Sequence, residues 1–288
     1  METYQAEILA DSVSPDGVRL TTLWVTFPRF ILAEVNTHRM LSRNSNSSRA
    51  IPPEIQIAKV CENPFVPETF NKRVKGMGIG NPLEQKEAAE ARHVWLDASV
   101  AACEAAEDLL QLDCDKSRIN RLLEPFLWHS AVISATEWSN FFALRDHPAA
   151  QPEFRILAKL MRKAMDESEP LGIGYGEWHL PGTSDFPMEE SNPDWELWKR
   201  VSAGRLARWT SYNLTSDDPI DAALERAEKL INSFHMSPTE HQARPLNPKE
   251  EYIGQDPRDV FVGNFCGWLQ FRKEIPNEHN AALVSNLS

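Results

Sequence analysis

THRMLSRNSNSSR, residues Thr37 to Arg49, packs four serines, two asparagines and three arginines into thirteen positions. Guanidinium groups hold phosphate through paired donors, and hydroxyls and amides complete such a shell. His38 and Arg39 are adjacent, so they can reach different groups of one large ligand. A reduced, anionic redox ring and a nucleotide phosphate both call for fixed positive charge. The same composition also describes a solvated serine-rich loop whose arginines make ordinary surface pairs. Composition by itself leaves both readings open.

Upstream, LTTLWVTFPRFILAEV (Leu20 to Val35) mixes β-branched and aromatic residues around Pro28, which predicts a strand, a break and a short helix. Residues 53 to 82 hold scattered Pro and Gly and read as irregular structure. An Ala- and Glu-rich run predicts a long helix from about Leu83 to Leu110. A shorter helix over Arg118 to Leu123 follows, capped by Asp115 or Ser117. Further helices are expected over Ser130 to Arg145, ended by Asp146, His147 and Pro148, and over Glu153 to Met165.

Pro170 to Asp194 reads as a covering loop, with aromatic residues around His179. Trp195 to Leu206 looks helical and Ala207 to Asn213 extended, and a helix over Asp218 to Ile231 would take Asp218 as N-cap and Pro219 at its first turn. Gly263 to Lys273, GNFCGWLQFRK, forms a compact aromatic unit before a polar tail.

Composition narrows the function classes. The 288 residues are 42% hydrophobic, enough for a substantial core, and the net charge of -12 argues against a broad basic surface for nucleic acid polymers. Cys61, Cys103, Cys114 and Cys266 show neither CxxC spacing nor histidines in zinc-site order, and no metal is expected. METYQAEILADS lacks the basic and apolar regions of a leader, and no run has the length of a bilayer span. A cytoplasmic protein with no membrane partner is the expectation.

THRMLSRNSNSSR resembles the signature of the flavin-dependent thymidylate synthases, R-H-R-x-x-S-x-N-E-x-S-x-R. His38, Arg39, Ser42, Asn44, Ser47 and Arg49 stand in register, whereas Thr37 replaces the leading arginine and Ser45 the glutamate. ATEWSNFFALRDHPAAQPEFR is similar to a second family segment, N-L-R-S-x-x-N-F-x-x-L-R followed by H-A-Q-x-E-I-R. Asn140, Arg145, Gln151, Glu153 and Arg155 match it, and Ser134, Thr136 and Ala149 depart from it. ARWTSYN (Ala207 to Asn213) and HMSPTEH (His235 to His241) resemble family segments that elsewhere precede the R-H-R signature. Here they follow it, as in a circular permutation. Taken alone, HMSPTEH could also be a capped turn or part of a metal cluster.

The resemblance implies an α/β (α+β) fold, a twisted, mostly antiparallel sheet with a helical lobe. One domain would span 1–288, with the lobe at about 83–166 and the permuted segment at about 200–245. The implied activity is transfer of a one-carbon unit from methylene-tetrahydrofolate to C5 of a pyrimidine deoxynucleotide, dUMP to dTMP, with FAD as cofactor and NADPH as reductant, in a homotetramer. Arg145 and Ser47 would be catalytic, and Glu34, Ser47, Arg49 and Arg145 would hold the nucleotide. His38, Arg39, Ser42, Asn44, Asn140, Arg208, Ser211, His235, Ser237 and Glu240 would contact flavin, with His241 a further candidate.

Glu34 stands where the family commonly has glutamine. An ionised carboxylate only accepts, and the exocyclic amine of cytosine would give it a donor. A dCMP methylase or a pyrimidine nucleotide hydroxymethylase is therefore the alternative, and a non-catalytic flavin- or nucleotide-binding relative a third reading.

Overall fold

Alternation along Leu20 to Phe27 sends Leu23, Val25 and Phe27 to one side of a strand and Leu20, Thr22, Trp24 and Thr26 to the other. This two-sided pattern organises the molecule. A computed structural model describes residues 2–76, 78–187, 192–209, 218–249, 251 and 255–280. The chain runs through β1 (Gln5–Val13), β2 (Arg19–Pro28), a 3-10 turn (Arg29–Ile31), α1 (Leu32–Val35), β3 (Ser42–Ser45) and α2 (Pro53–Glu62). It continues through α3 (Gln85–Gln111), α4 (Lys116–Leu123), β4 (Trp128–Ala135), α5 (Ser139–Arg145), α6 (Pro152–Asp166) and β5 (Leu171–Gly172). Then follow α7 (Trp195–Trp209), α8 (Ile220–Asn232), β6 (Ala243–Pro245), β7 (Phe261–Val262), β8 (Phe265–Cys266), β9 (Trp268–Gln270) and α9 (Phe271–Glu274).

The main sheet has the order β3-β4-β2-β1-β5. Its pairings are antiparallel except β1 with β5, so the expected mixed fold with a twisted, mostly antiparallel sheet and a helical lobe is what the chain adopts. Leu23, Val25 and Phe27 join Ala131, Ile133 and Ala135 of β4 in a face that packs on Phe141, Phe154, Leu157 and Met161 of α5 and α6. Along α6 the buried residues Phe154, Leu157, Ala158, Met161 and Met165 form one helical stripe. Each large apolar side chain removed from water there contributes about 1.5–3 kcal/mol before the cost of ordering it.

The opposite face is largely polar and is covered by the C-terminal elements. Leu20 packs with Ala243, Phe265 and Trp268, and Trp24 meets Trp209 edge-on at 5.3 Å. Away from the sheet, α2, α3 and α4 pack together around Ile57, Val60, Ala106, Ile119 and Leu123. Buried Asn120 donates to the carbonyls of Ser48 (2.7 Å) and Ile51 (2.9 Å), tying that lobe to the segment after β3.

Several expectations need correction. Ser130 to Arg145 is not one helix: its first part is β4, and only Ser139–Arg145 is helical. Between β2 and β3 the run from Ala131 to Ala135 is buried on both faces, so its pattern is a continuous apolar stretch that no local period distinguishes from a helix. Residues 83–166 accordingly hold α3 to α6 but also one strand of the sheet. Within 53–82, supposed irregular, Pro53 opens α2 at a position where a missing N–H costs nothing, and Gln56, Ile57 and Val60 are buried. The polar stretch is not loop throughout, because Ser42–Ser45 is the edge strand β3. Pro219, not Asp218, is the N-cap of α8, and the Asp218 carboxylate instead accepts from Arg226 at 3.0 and 3.1 Å. Asp115 does cap α4, through the amide of Ser117 at 3.1 Å. Ala207 to Trp209 complete α7 and are not extended, and the remainder of ARWTSYN lies outside the described residues.

Candidate functional site

The sequence candidates Glu34, His38 and Arg145 converge with Thr37 and Arg43 where α1 and α5 end. The Thr37 hydroxyl donates to the Glu34 carbonyl at 2.6 Å, and Arg43 donates to the His38 carbonyl at 2.6 Å, which fixes the turn between α1 and β3. Arg145, in the last turn of α5, donates from Nε to His38 Nε2 at 2.8 Å and from Nη2 to the Thr37 hydroxyl at 3.5 Å. Its guanidinium lies 4.4 Å over the Phe154 ring, and His38 stands edge-on to Phe141 at 5.1 Å.

Burial, with the positive charges of Arg145 and Arg43, pushes the His38 pKa down to about 4. His38 is therefore neutral near pH 7, and because Nε2 accepts from Arg145, its proton resides on Nδ1. Burial also lowers the Arg145 pKa, and the charge of Glu34 opposes that shift. The Glu34 Oε2 atom is buried without a hydrogen-bond partner. An acceptor oxygen held in this state beside a guanidinium is unusual, since an unmet buried acceptor costs about 1–3 kcal/mol.

Other candidates lie on the polar face of the sheet and bind the C-terminal segment. The Ser42 hydroxyl accepts from Gln270 at 3.0 Å and Asn264 at 3.3 Å. Asn44 donates to the Leu206 carbonyl and accepts from the Ser237 hydroxyl, both at 3.1 Å. Glu240 pairs with Arg272, and Arg208 lies 3.4 Å from Asp218. Arg39, Ser47, Arg49, Asn140 and His235 are exposed, with His235 Nδ1 2.9 Å from the Ser233 hydroxyl. Ser211 lies outside the described residues. Thus Glu34, His38 and Arg145 are brought together, whereas Arg49 and His235 do not contact that cluster directly.

Sequence reading missed two buried networks. Arg29, 9% exposed, reaches His129 Nδ1 (2.9 Å), the Ser48 hydroxyl (3.0 Å) and Glu124 (3.1 Å). Across the polar face a chain of contacts links Ser12 to His179, His179 to Thr22, Thr22 to Ser134, and Ser134 to His241, each 2.6–2.8 Å long. Burial pushes the pKa of His129, His179 and His241 down to about 3, with the Arg29 charge adding to the effect at His129. The sequence signals are polar residues alternating with apolar ones in β2, and His241, which the resemblance marks as a flavin-contact candidate and which lies fully buried against Ser134. Their partners lie more than one hundred residues away.

Ser134 and Thr136, two departures from the family motif, both meet the C-terminal segment: Ser134 through His241 and Thr136 by accepting from the Cys266 amide at 3.0 Å. Among the described residues no group of three or more His, Cys, Asp or Glu is placed to hold a metal, and no helix is long and apolar enough to cross a membrane.

Comparison with known proteins completes the picture. Curated protein sequences give no match. Among solved structures, the UMP/dUMP methylase PolB from Streptomyces cacaoi bound with 5-Br UMP is similar, with a TM-score of 0.48 and 16% identity over 58% of this chain and 90% of that one. Thymidylate synthase X from Helicobacter pylori with FAD and dUMP gives a TM-score of 0.35 and 21% identity over 51% of this chain and 67% of that one. The family described as thymidylate synthase complementing protein matches residues 18–171, a span that opens at β2, contains both motif segments and closes at β5. That span exceeds half of the 288 residues, and the chain belongs to the thymidylate synthase complementing protein family.

Proposed function

We propose that this protein transfers a one-carbon unit from methylene-tetrahydrofolate to C5 of a pyrimidine deoxynucleotide, converting dUMP to dTMP, with FAD as cofactor and NADPH as reductant. The observation that carries the reading is the meeting of Arg145, His38 and Glu34 inside the segment that the family matches. Arg145 would hold the polarised base, Arg49 the phosphate, and Ser47 would orient the ring, so that reaction becomes effectively unimolecular. Neutral His38 would keep the Arg145 fork aimed, because its Nε2 offers the guanidinium a fixed acceptor.

The donor set suits FAD in part. Arg39, Asn140 and His235 are exposed and could meet an anionic cofactor together with His38, whereas Ser42, Asn44, Ser237 and Glu240 already have partners within the chain. When bound, the flavin supplies the reducing equivalents that no side chain here provides. The family's homotetramer, with active sites drawing on several subunits, would bring the exposed Arg49 of one copy to the Arg145 cluster of another. The circular permutation is part of the same proposal. It is supported by the contacts of Leu206 and Ser237 with Asn44, which seat the late segment against the early motif.

A second reading concerns the base. The unpartnered Glu34 Oε2 favours a ligand that donates, and the amino group of cytosine would satisfy it, which makes dCMP the alternative substrate. Purified protein should retain flavin and, with methylene-tetrahydrofolate and NADPH, convert dUMP or dCMP to a product heavier by a methyl or a hydroxymethyl group by mass spectrometry. Turnover of dUMP alone would remove the cytosine reading. Flavin retention without product from either nucleotide would leave a binding protein and defeat the proposal.

A further inference from the structure

A cavity of about 700 Å³ opens where the β1 and β5 edge of the sheet meets residues within 171–186 and 192–195. It contains none of the candidate flavin or nucleotide residues, and apart from Leu171 its lining lies outside the span that the family matches. Its volume falls within the range of small-molecule sites, about 300–1,000 Å³.

Its chemistry differs from that of the motif site. Tyr175, Trp178, Phe186 and Trp195 supply aromatic surface, Asp11 and Glu177 supply carboxylates, and none of the described lining residues is Lys, Arg or His. Arg19, Lys199 and Arg205, beside the cavity, are already paired, Arg205 with Asp185. Arg19 forms a paired contact with Asp11 at 2.9 and 2.6 Å, and Lys199 lies 2.6 Å from both Glu196 and Glu274 while resting 4.4 Å over one face of Trp178. A phosphate or other anion would meet no cation among the described lining residues and would face the carboxylate of Glu177, Asp11 being already paired with Arg19. A flat ring would gain aromatic contact, and its N–H groups would find an acceptor in the exposed carboxylate of Glu177. Tyr175 is held at the rim by its hydroxyl, 3.1 Å from both oxygens of Asp16, so that surface is set before a ligand arrives.

We propose that this cavity is a second ligand site, selective for a flat, phosphate-free nitrogen heteroaromatic ring bearing N–H donors. A free nucleoside and a pterin share that chemistry, and the test distinguishes them.

Isothermal titration calorimetry on the full-length protein would use thymidine and pterin as separate probes, with dTMP as the charged comparison. At least one uncharged ring should bind at one site per chain with a Kd below about 1 mM, a modest affinity for a ligand of this size. Tyr175→Ala, which removes a side chain 41% exposed, and Ser184→Trp, which fills the cavity from an exposed position, should each weaken it by about tenfold or more. Arg145→Ala should leave that binding unchanged, and in Arg49→Ala/Arg145→Ala, which removes both arginines assigned to the nucleotide, dTMP should bind at least about tenfold more weakly than thymidine. Circular dichroism checks that the variants are folded. Absence of binding by both rings, binding that survives Ser184→Trp, or binding lost in Arg145→Ala would overturn the proposal. Because Arg145→Ala separates the two sites, failure here is distinct from failure of the one-carbon transfer reading.

Discussion

Ser134 Oγ lies 2.8 Å from His241 Nδ1, and both residues are fully buried. Ser134 stands where the family motif carries asparagine, and His241 closes the HMSPTEH segment. The contact joins β4 to the turn before β6, more than one hundred residues apart in the chain. It is continued through Thr22 and His179 to Ser12, so one line of polar contacts crosses β4, β2 and β1. The polar face of the sheet is thus completed by the C-terminal segment, and departures from the motif at Ser134 and Thr136 coincide with its attachment points.

Ser134→Ala should destabilise the protein by about 2 kcal/mol in urea denaturation, because it strips a partner from His241, whose Nε2 already has none, and from Thr22. A loss below about 0.5 kcal/mol would mean that the network adds nothing to stability.

The buried histidines set the response to acid. His129, His179 and His241 are held at about 3 in the folded chain, against about 6.5 when unfolded. The unfolded chain therefore binds more protons across that interval, so stability rises with pH there. This contribution is fully present above about pH 6.5 and is lost as pH falls toward 3. Near pH 5 each ring takes up about one proton on unfolding, and the three together give a slope of about 4 kcal/mol per pH unit. Thermal melts between pH 7.5 and 5 should show a steep fall in Tm whose slope drops by about a third in His129→Gln. A Tm unchanged over that range would contradict the burial of these rings as neutral groups.

Legibility in the sequence followed the range of the forces involved. The strand, break and short helix around Pro28 were readable because a single proline and a run of β-branched residues act locally. The α3 and α6 helices were readable from composition and period. β4 was not, because its apolar run becomes a strand only through pairing with β2 and β3. At the site, His38 and Arg145 were legible as motif positions, but their mutual hydrogen bond was not. Nothing within a few residues of either encodes a contact between α1 and α5. Arg29 escaped notice for the same reason, since its partners Ser48, Glu124 and His129 come from three separate elements or turns.

Under the proposed one-carbon transfer, in which Arg145 is a donor to the reacting base, Arg145→Ala should lower turnover by about a hundredfold or more while flavin content is retained. The same change should raise the His38 pKa from about 4, because one of the two positive charges holding it down is gone; burial would keep it below 6.5. Histidine NMR titration reads this directly. A His38 resonance that titrates as in the unmodified protein would show that the pair is not coupled.

Gly204 marks the close crossing of α7 and α8. A Cβ there would sit 1.9 Å from the Ala223 carbonyl oxygen, and the Gly204 carbonyl itself accepts from Arg226 at 2.8 Å. Gly204→Ala should therefore cost about 1–3 kcal/mol by forcing the helices apart. Gly172→Ala, whose added methyl meets nothing within 4 Å, should be nearly neutral. Equal stability of the two variants would refute the crossing.

Arg29 joins the helical lobe to the sheet, and its replacement tests how firmly. One guanidinium addresses His129 on β4, Ser48 after β3 and Glu124 after α4, while the Ser48 hydroxyl also donates to Glu124. Lysine offers a single point of attachment and cannot reproduce this fork. Arg29→Ala takes from Glu124 its nearer cation, leaving only Arg121 at 3.8 Å, and from His129 its donor, a loss of about 3 kcal/mol, toward the low end for buried pairs because the Glu124 side chain is 27% exposed. Arg29→Lys should recover less than half of that. The damage should be local first: amide exchange in residues 48–51 and 119–123 should accelerate at denaturant concentrations where β2 and β4 remain protected. If exchange instead rises uniformly through the sheet and the lobe, the guanidinium stabilises the whole fold and does not act as the hinge pin between them.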